Sequence, residues 1–303
     1  MELRHLDTLL AIAEEGSFTA AADALATVQS NVSEQVRQLE TELGAQLLVR
    51  GRRGAVTTEC GDVVLDRARR IRRELEAMRA DLSMLQGLEA GDASFGIVGT
   101  ASRWVVPRLV AELRMRAPGI RLRVIEAASE RLRSEVLTGE LAQAVVTEPV
   151  TDRRLAVETI LEEALVAVVP RGAKLPKPPV PLAAVLALGL VVPPPENPLR
   201  HEVEAVAAQQ GLDLPITVEV EGIRLVADLV AAGAGASVLP ETAVPAELDV
   251  TVVPIAGMPP RRLAIVTARD ARLSLADRAV RDTVLAVVAE RRRPRGAVSL
   301  VRR

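Results

Sequence analysis

Apolar residues recur three and four apart over the first fifteen positions, so that Leu3, Leu6, Leu10 and Ala13 share one helical face and Gly16 ends the run. Ser17 then offers an N-cap, and Ala20, Ala21, Ala22 and Ala24 predict a short second helix, small enough for a neighbour to approach closely, before the chain turns at Ala26 and Thr27. In the segment TVQSNVSEQVRQLETELG, Val32, Val36, Leu39 and Leu43 make the inward stripe of a third helix. Its opposite side is polar: Ser30, Ser33 and Arg37 lie in line, flanked by Gln29, Asn31, Glu34 and Gln38. After Gly44, the apolar runs Leu47-Leu48-Val49 and Ala55-Val56 flank a turn that Gly51 and Gly54 permit, which predicts a two-stranded hairpin with Arg50, Arg52 and Arg53 at its tip.

The chemistry of that polar face suits base edges. Gln and Asn bridge adenine, Arg forks onto guanine, and hydroxyls bond bases or phosphate. A recognition helix presents such residues to the major groove, and a basic hairpin beside it reaches phosphates or the minor groove. Taken alone, the helix face could equally be a solvated surface and the hairpin a soluble turn. Their succession within sixty residues favours double-stranded DNA as the partner.

A different pattern follows. From position 59 to about 86 there is no proline, and Val64, Ala68, Ile71, Leu75, Met78, Leu82 and Leu85 form one apolar seam, with Arg67, Arg69, Arg70, Arg72, Arg73, Glu74 and Glu76 outside it. A helix this long cannot bury its seam against itself, and a second copy of the same helix is the simplest partner. Gly61 and the segment 87–91 read as hinges at its ends.

Beyond Gly91, strands and helices alternate: SFGIVGT, a helix from about 103 to 116, IRLRVIEA, a helix from 129 to 138, and LAQAVVT. This βαβαβ order predicts a parallel sheet covered by helices. Around 147–162 the chain is expected to cross into a second lobe with strands ALVAVVP, GLVVP, ITVEV and ASVLP and helices over 198–210 and 223–232. LAIVTA and a last helix over 274–290 then return to the first lobe, and the basic tail RRRPRGAVSLVRR is expected to fray. Ligands of open α/β sheets bind beyond the carboxyl ends of strands. That rule points to Thr100, Ser102 and Arg103, to Thr147 and Glu148, to Asn197 in the segment 195–198, and to Glu221, Gly222 and Ile223, with Glu148 either opposing a bare carboxylate or pairing with an amine or with Arg103. Helix capping and turn chemistry explain the same residues singly.

Composition narrows the function. The chain has 303 residues, 49% hydrophobic and 26% charged, enough for more than one domain, with a formal net charge of −2. The first sixty residues hold more Asp and Glu than Lys and Arg, which argues against a histone-like or general DNA-coating role and leaves binding to local contacts. His5 and His201 are the only histidines and Cys60 the only cysteine, so no disulfide forms within the chain, no His/Cys metal cluster can be assembled, and no metal or other cofactor is expected. Cys60 reads as a packed, inert residue. Neither a GxSxG elbow nor a GxxxxGK[ST] phosphate loop occurs, GAGAS follows a helix rather than opening one, and Ser102 has no visible base, so catalysis is not expected. The apolar stretch after Met1 is broken by Asp7, Glu14 and Glu15, unlike a signal peptide, and no run suits a bilayer, so a cytoplasmic location without membrane contact is expected.

The segments MELRHLDTLLAIAEEGSFTAAADAL and TVQSNVSEQVRQLETELG, with the Thr58-to-Gly61 step closing the wing, resemble the LysR-type transcriptional regulators without gaps over about sixty residues, and more loosely over nearly the whole chain. Val28 stands where the family usually has Ser, which would move the helix cap to Thr27, and Leu48 stands where an aromatic is frequent. The resemblance implies an α/β protein in three parts: a winged helix-turn-helix over 1–58, a linker helix over 59–90 that pairs two subunits, and a two-lobed regulatory domain of periplasmic-binding-protein type over 91–303. It implies a regulator of transcription that binds promoter or operator DNA through Thr27, Gln29, Ser30, Asn31, Ser33, Glu34, Arg37, Gln38 and the three wing arginines. A small-molecule effector would bind at the strand ends named above, the protein would be a dimer or tetramer, and RNA polymerase would be a further partner. With Trp104 the only tryptophan, Phe18 and Phe95 the only phenylalanines and no tyrosine, a small polar or aliphatic effector is expected rather than an aromatic one. The alternative from the residues alone is a solute-binding or assembly module whose N-terminal helices never read DNA.

Overall fold

The computed structural model describes residues 1–51, 54–85 and 91–292. Arg52 and Arg53 at the wing tip, the segment 86–90 and the tail from 293 lie outside the described residues, and for Arg50 only the backbone is described. Contacts divide the chain into two compact units, one holding Met1–Arg79 and the other nearly all of the chain from Ala80 onward.

The first unit follows the periodicity closely. Helices α1 (Leu3–Glu15), α2 (Phe18–Ala24) and α3 (Gln29–Leu43) precede the antiparallel strands β1 (Leu48–Gly51) and β2 (Gly54–Thr57), and α4 runs over Glu59–Leu85. Gly16 and Gly44 end α1 and α3 in the left-handed region, and the Ser17 hydroxyl caps α2 by accepting from the Ala20 N–H. Leu9, Ile12, Val32, Leu39 and Leu47 are fully buried in one core, to which α4 contributes Leu65 and Ala68.

Four expectations are corrected here. The cap of α3 is Val28 rather than Thr27, and a valine side chain has no atom to bond a backbone N–H, while the Thr27 hydroxyl accepts from the Asn31 side chain. Gly61 is no hinge: it lies in the first turn of α4, and a Cβ there would sit 2.1 Å from the Leu47 carbonyl oxygen, so its role is close packing against the wing. Cys60, beside it, is exposed rather than packed. The seam is also shorter than its spacing suggested: Ala68 is buried and Val64 packs on the core of its own unit, whereas Ile71, Met78 and Leu82 are exposed and Leu75 is half-buried.

The second unit has two lobes. In the first, β3 (Gly91–Ile97), α5 (Gly99–Arg116), β4 (Ile120–Glu126), α6 (Ser129–Thr138) and β5 (Gln143–Thr147) give the parallel βαβαβ arrangement around Phe95, Ile97, Leu109 and Leu132. Next comes β6 (Leu155–Glu163), where a crossing was expected; it is an edge strand of the first sheet. It hides in the sequence because its middle residues are exposed and its pairing shifts register, both of which blur alternation. The second lobe comprises β7 (Leu165–Pro170), α7 (Leu182–Leu186), β8 (Leu190–Val192), α8 (Pro198–Gln209), β9 (Ile216–Glu219), α9 (Ile223–Ala231), β10 (Ser237–Pro240) and β11 (Val250–Pro254). Strand β7 pairs antiparallel with both β10 and β11, while β8 runs parallel to β9. The chain returns through β12 (Arg261–Ala268), which pairs antiparallel with β5 and β6, so the first sheet is mixed rather than purely parallel. Helix α10 (Leu275–Arg292) completes that lobe.

Candidate nucleic-acid interface and effector cleft

Helix α3 buries Val32, Val36 and Leu39 and turns Gln29, Ser30, Asn31, Arg37 and Gln38 to solvent, with Ser33 and Glu34 partly exposed. The polar residues pair along the helix. Gln29 donates to the Ser33 hydroxyl at 2.8 Å, Arg37 gives Nε and Nη2 to the two Glu34 oxygens at 2.9 and 2.6 Å, and Gln38 donates to Glu34 Oε1 at 2.9 Å. These bonds, the one from Arg37 first, hold the Glu34 carboxyl down at about 2, and the same contact raises the Arg37 guanidinium above its ordinary value.

In the two-lobed unit, α5 begins four residues earlier than its pattern suggested. Thr100 and Ser102 therefore lie in its first turn and are buried, instead of standing free after a strand. Threonine and serine look like loop residues there, but both hydroxyls turn inward. Thr100 accepts from Arg261, and Ser102 donates to Glu126 at the end of β4. Arg224 of α9 approaches the same Glu126 carboxylate at 3.8 Å, linking the opening of α9, where Gly222 is the cap between Glu221 and Ile223, to the first lobe. Arg103 pairs with Glu247 of the second lobe and not with Glu148, which instead accepts from Thr159. Thr147 ends β5 with its N–H on the Ser129 hydroxyl, and Asn197 caps α8 by accepting from the Leu199 N–H. Asn197 thus has the capping role that was the plain alternative for it.

Sequence reasoning missed the charged group at the strands that join the lobes. Arg261 at the start of β12 and Glu163 at the end of β6 face each other in register and pair at 2.6 Å with side chains 5% and 2% exposed. Thr242, in the turn after β10, donates to the second Glu163 oxygen. No short-range signal marks a pair 98 positions apart in sequence. Glu202 on α8 feels both charges. Burial pushes its carboxyl above the usual range, Arg261 opposes that and Glu163 adds to it, and its Oε2 is buried without a hydrogen-bond partner.

Glu202 carries a pH prediction. A carboxyl raised in the folded state contributes stability that is complete below the unfolded value and is lost as pH climbs through the folded one. Glu202→Gln keeps the shape and stays neutral. It is expected to raise Tm near pH 7 by roughly 2–4 °C, for about 1 kcal/mol in a domain of this size, and to change it little near pH 4. Equal shifts at both pH values, read from thermal melts, would contradict this.

Among the described residues no His, Cys, Asp or Glu cluster is arranged for a metal ion, and no helix is long and apolar enough to cross a membrane. Residues 3–62 match the family model for bacterial regulatory helix-turn-helix proteins of the lysR family, and residues 86–289 match the LysR substrate binding domain. The nitrogen assimilation regulatory protein Nac of Klebsiella aerogenes is 32% identical over 80% of this chain and 79% of its own length. The dual regulator OxyR of Escherichia coli is 28% identical over 82% and 81%. Among solved structures, a full-length OxyR variant from Pseudomonas aeruginosa superposes with a TM-score of 0.70 at 22% identity, covering 95% of this chain and 94% of that one. Full-length CbnR complexed with its target DNA does so with 0.65 at 22%, covering 95% and 100%. Both share its fold. With two family models covering the DNA-binding and ligand-binding parts, the chain belongs to the LysR family, whose members are DNA-binding transcriptional regulators with an effector-binding domain and are not enzymes.

Proposed function

We propose that α3 of two copies of this chain reads an operator duplex in adjacent major grooves, with the wing arginines Arg50, Arg52 and Arg53 on the flanking backbone. The observation that carries this is the division of α3 into a buried stripe and an outward polar face of Gln29, Ser30, Asn31, Ser33, Arg37 and Gln38. The exposed part of the seam, Ile71, Met78 and Leu82 with Leu75, pairs the two copies and sets the spacing of their heads. A small polar or aliphatic effector enters between the lobes near Ser102, Arg103 and the α9 opening and changes how the lobes sit. The scarcity of aromatics supports that ligand class: Phe95 is fully buried, and Trp104 on α5 is the single indole. The protein acts in the cytoplasm, at promoters where it meets RNA polymerase.

A mobility shift on the DNA upstream of the chain's own gene tests the central step. Arg37→Ala is expected to weaken specific binding by at least about tenfold, since a bidentate contact to guanine is worth about 1–3 kcal/mol in each head. Unchanged binding by the variant, or no specific shift with the parent, would overturn it.

A further inference from the structure

Glu34 is the hub of the outer face of α3. It accepts both guanidinium donors of Arg37 and one amide donor of Gln38, the two side chains of that turn best shaped to read bases. The group carries no net positive charge, and the whole first unit offers little to replace it: its first sixty residues are net acidic. The carboxylate is also partly open, its side chain 45% exposed, so it travels into any groove the helix enters. In the free protein its bonds to Arg37 and Gln38 hold it well below the ordinary carboxylate range, so it arrives at the groove ionised.

An ionised carboxylate that loses its water against DNA must find donors or be repelled by the phosphates. The major groove offers base-edge donors only at the amino groups of cytosine N4 and adenine N6; guanine N7 and O6 and thymine O4 are acceptors. Cytosine N4 suits a carboxylate best, because beside the adenine amino group stands the N7 acceptor. Resting on α3 entering the major groove, we propose that Glu34 is a specificity-determining residue, demanding an amino-bearing base, cytosine first, beside the guanine that Arg37 reads, and rejecting duplexes that lack it. The favourable contact and the penalty act together: the correct site adds a charge-assisted bond to those from Arg37 and Gln38, and a wrong site sets an acceptor or an apolar edge against the remaining lone pair of the carboxylate. Glu34 also positions Arg37, whose fork is already splayed one turn away and needs little ordering on docking.

The test is selection from a randomised duplex library with the full-length protein and with Glu34→Gln, followed by titration of each against its selected site and against unrelated DNA. The parent is expected to enrich a motif with a cytosine column in each half-site. In Glu34→Gln that column should relax or move to adenine, which an amide bridges, and the ratio of specific to non-specific affinity should fall by about tenfold. Thermal melts should nearly coincide, because the replaced group is partly exposed and its ion pair with Arg37 lies at the surface. A parent motif without the cytosine column, or an identical motif and ratio in the variant, would overturn the role of Glu34 while leaving groove reading intact. Failure of the parent to enrich any motif would instead remove the groove reading on which the role rests.

Discussion

Arg261→Ala is expected to cost the two-lobed unit about 3–5 kcal/mol, because it strips the enclosed Glu163 of its charge partner and leaves it facing only the Thr242 hydroxyl. That is a large share of the roughly 5–15 kcal/mol that holds a domain together. The same change frees Thr100 from its donor and loosens the strands through which the chain passes between lobes. The double replacement Arg261→Met with Glu163→Leu should recover most of the loss, since a buried ion pair exchanged for apolar groups of similar volume is often neutral or stabilising. Urea denaturation followed by circular dichroism decides the matter. Equal loss in the single and double variants would show that packing, and not the stranded charge, was responsible.

The second large effect lies on α4. Met78→Asp with Leu82→Asp places two charges on the exposed part of the seam while leaving Leu65 and Ala68 in their own core. If two copies pair there, the variant should become monomeric by sedimentation and keep the melting behaviour of its winged-helix unit. Its affinity for a two-half-site duplex should drop by about 10²–10⁴, the gain that linking two heads provides. A variant that stays dimeric, or that binds as tightly as the parent, would place the pairing surface elsewhere.

What the sequence revealed and what it hid follow from the range of the forces involved. Helices α1 and α3 and the outward face of α3 were legible because the three-and-four repeat is local and each apolar stripe meets one neighbour. Strand β6 was not, because its three central residues are exposed and its inward set is broken by a register shift. Thr100 and Ser102 stood out by their position after a strand, but what engages their hydroxyls, Arg261 and Glu126, arrives from distant segments that no local pattern reveals. The seam shows the opposite error. Its spacing continues through Val64 and Ala68, but a periodic stripe does not say whether its partner is the same chain or another, and the winged-helix core claims those two.

The most direct measurement is methylation interference on an operator fragment bound by the full-length protein, since methyl groups on guanine N7 occupy the major groove where α3 is expected to lie. Interference in two patches on one face of the duplex, separated by one or more helical turns of about 10–10.5 base pairs, with one guanine in each losing its effect in Arg37→Ala, is the predicted result. Binding that ignores methylation throughout the protected region would contradict it.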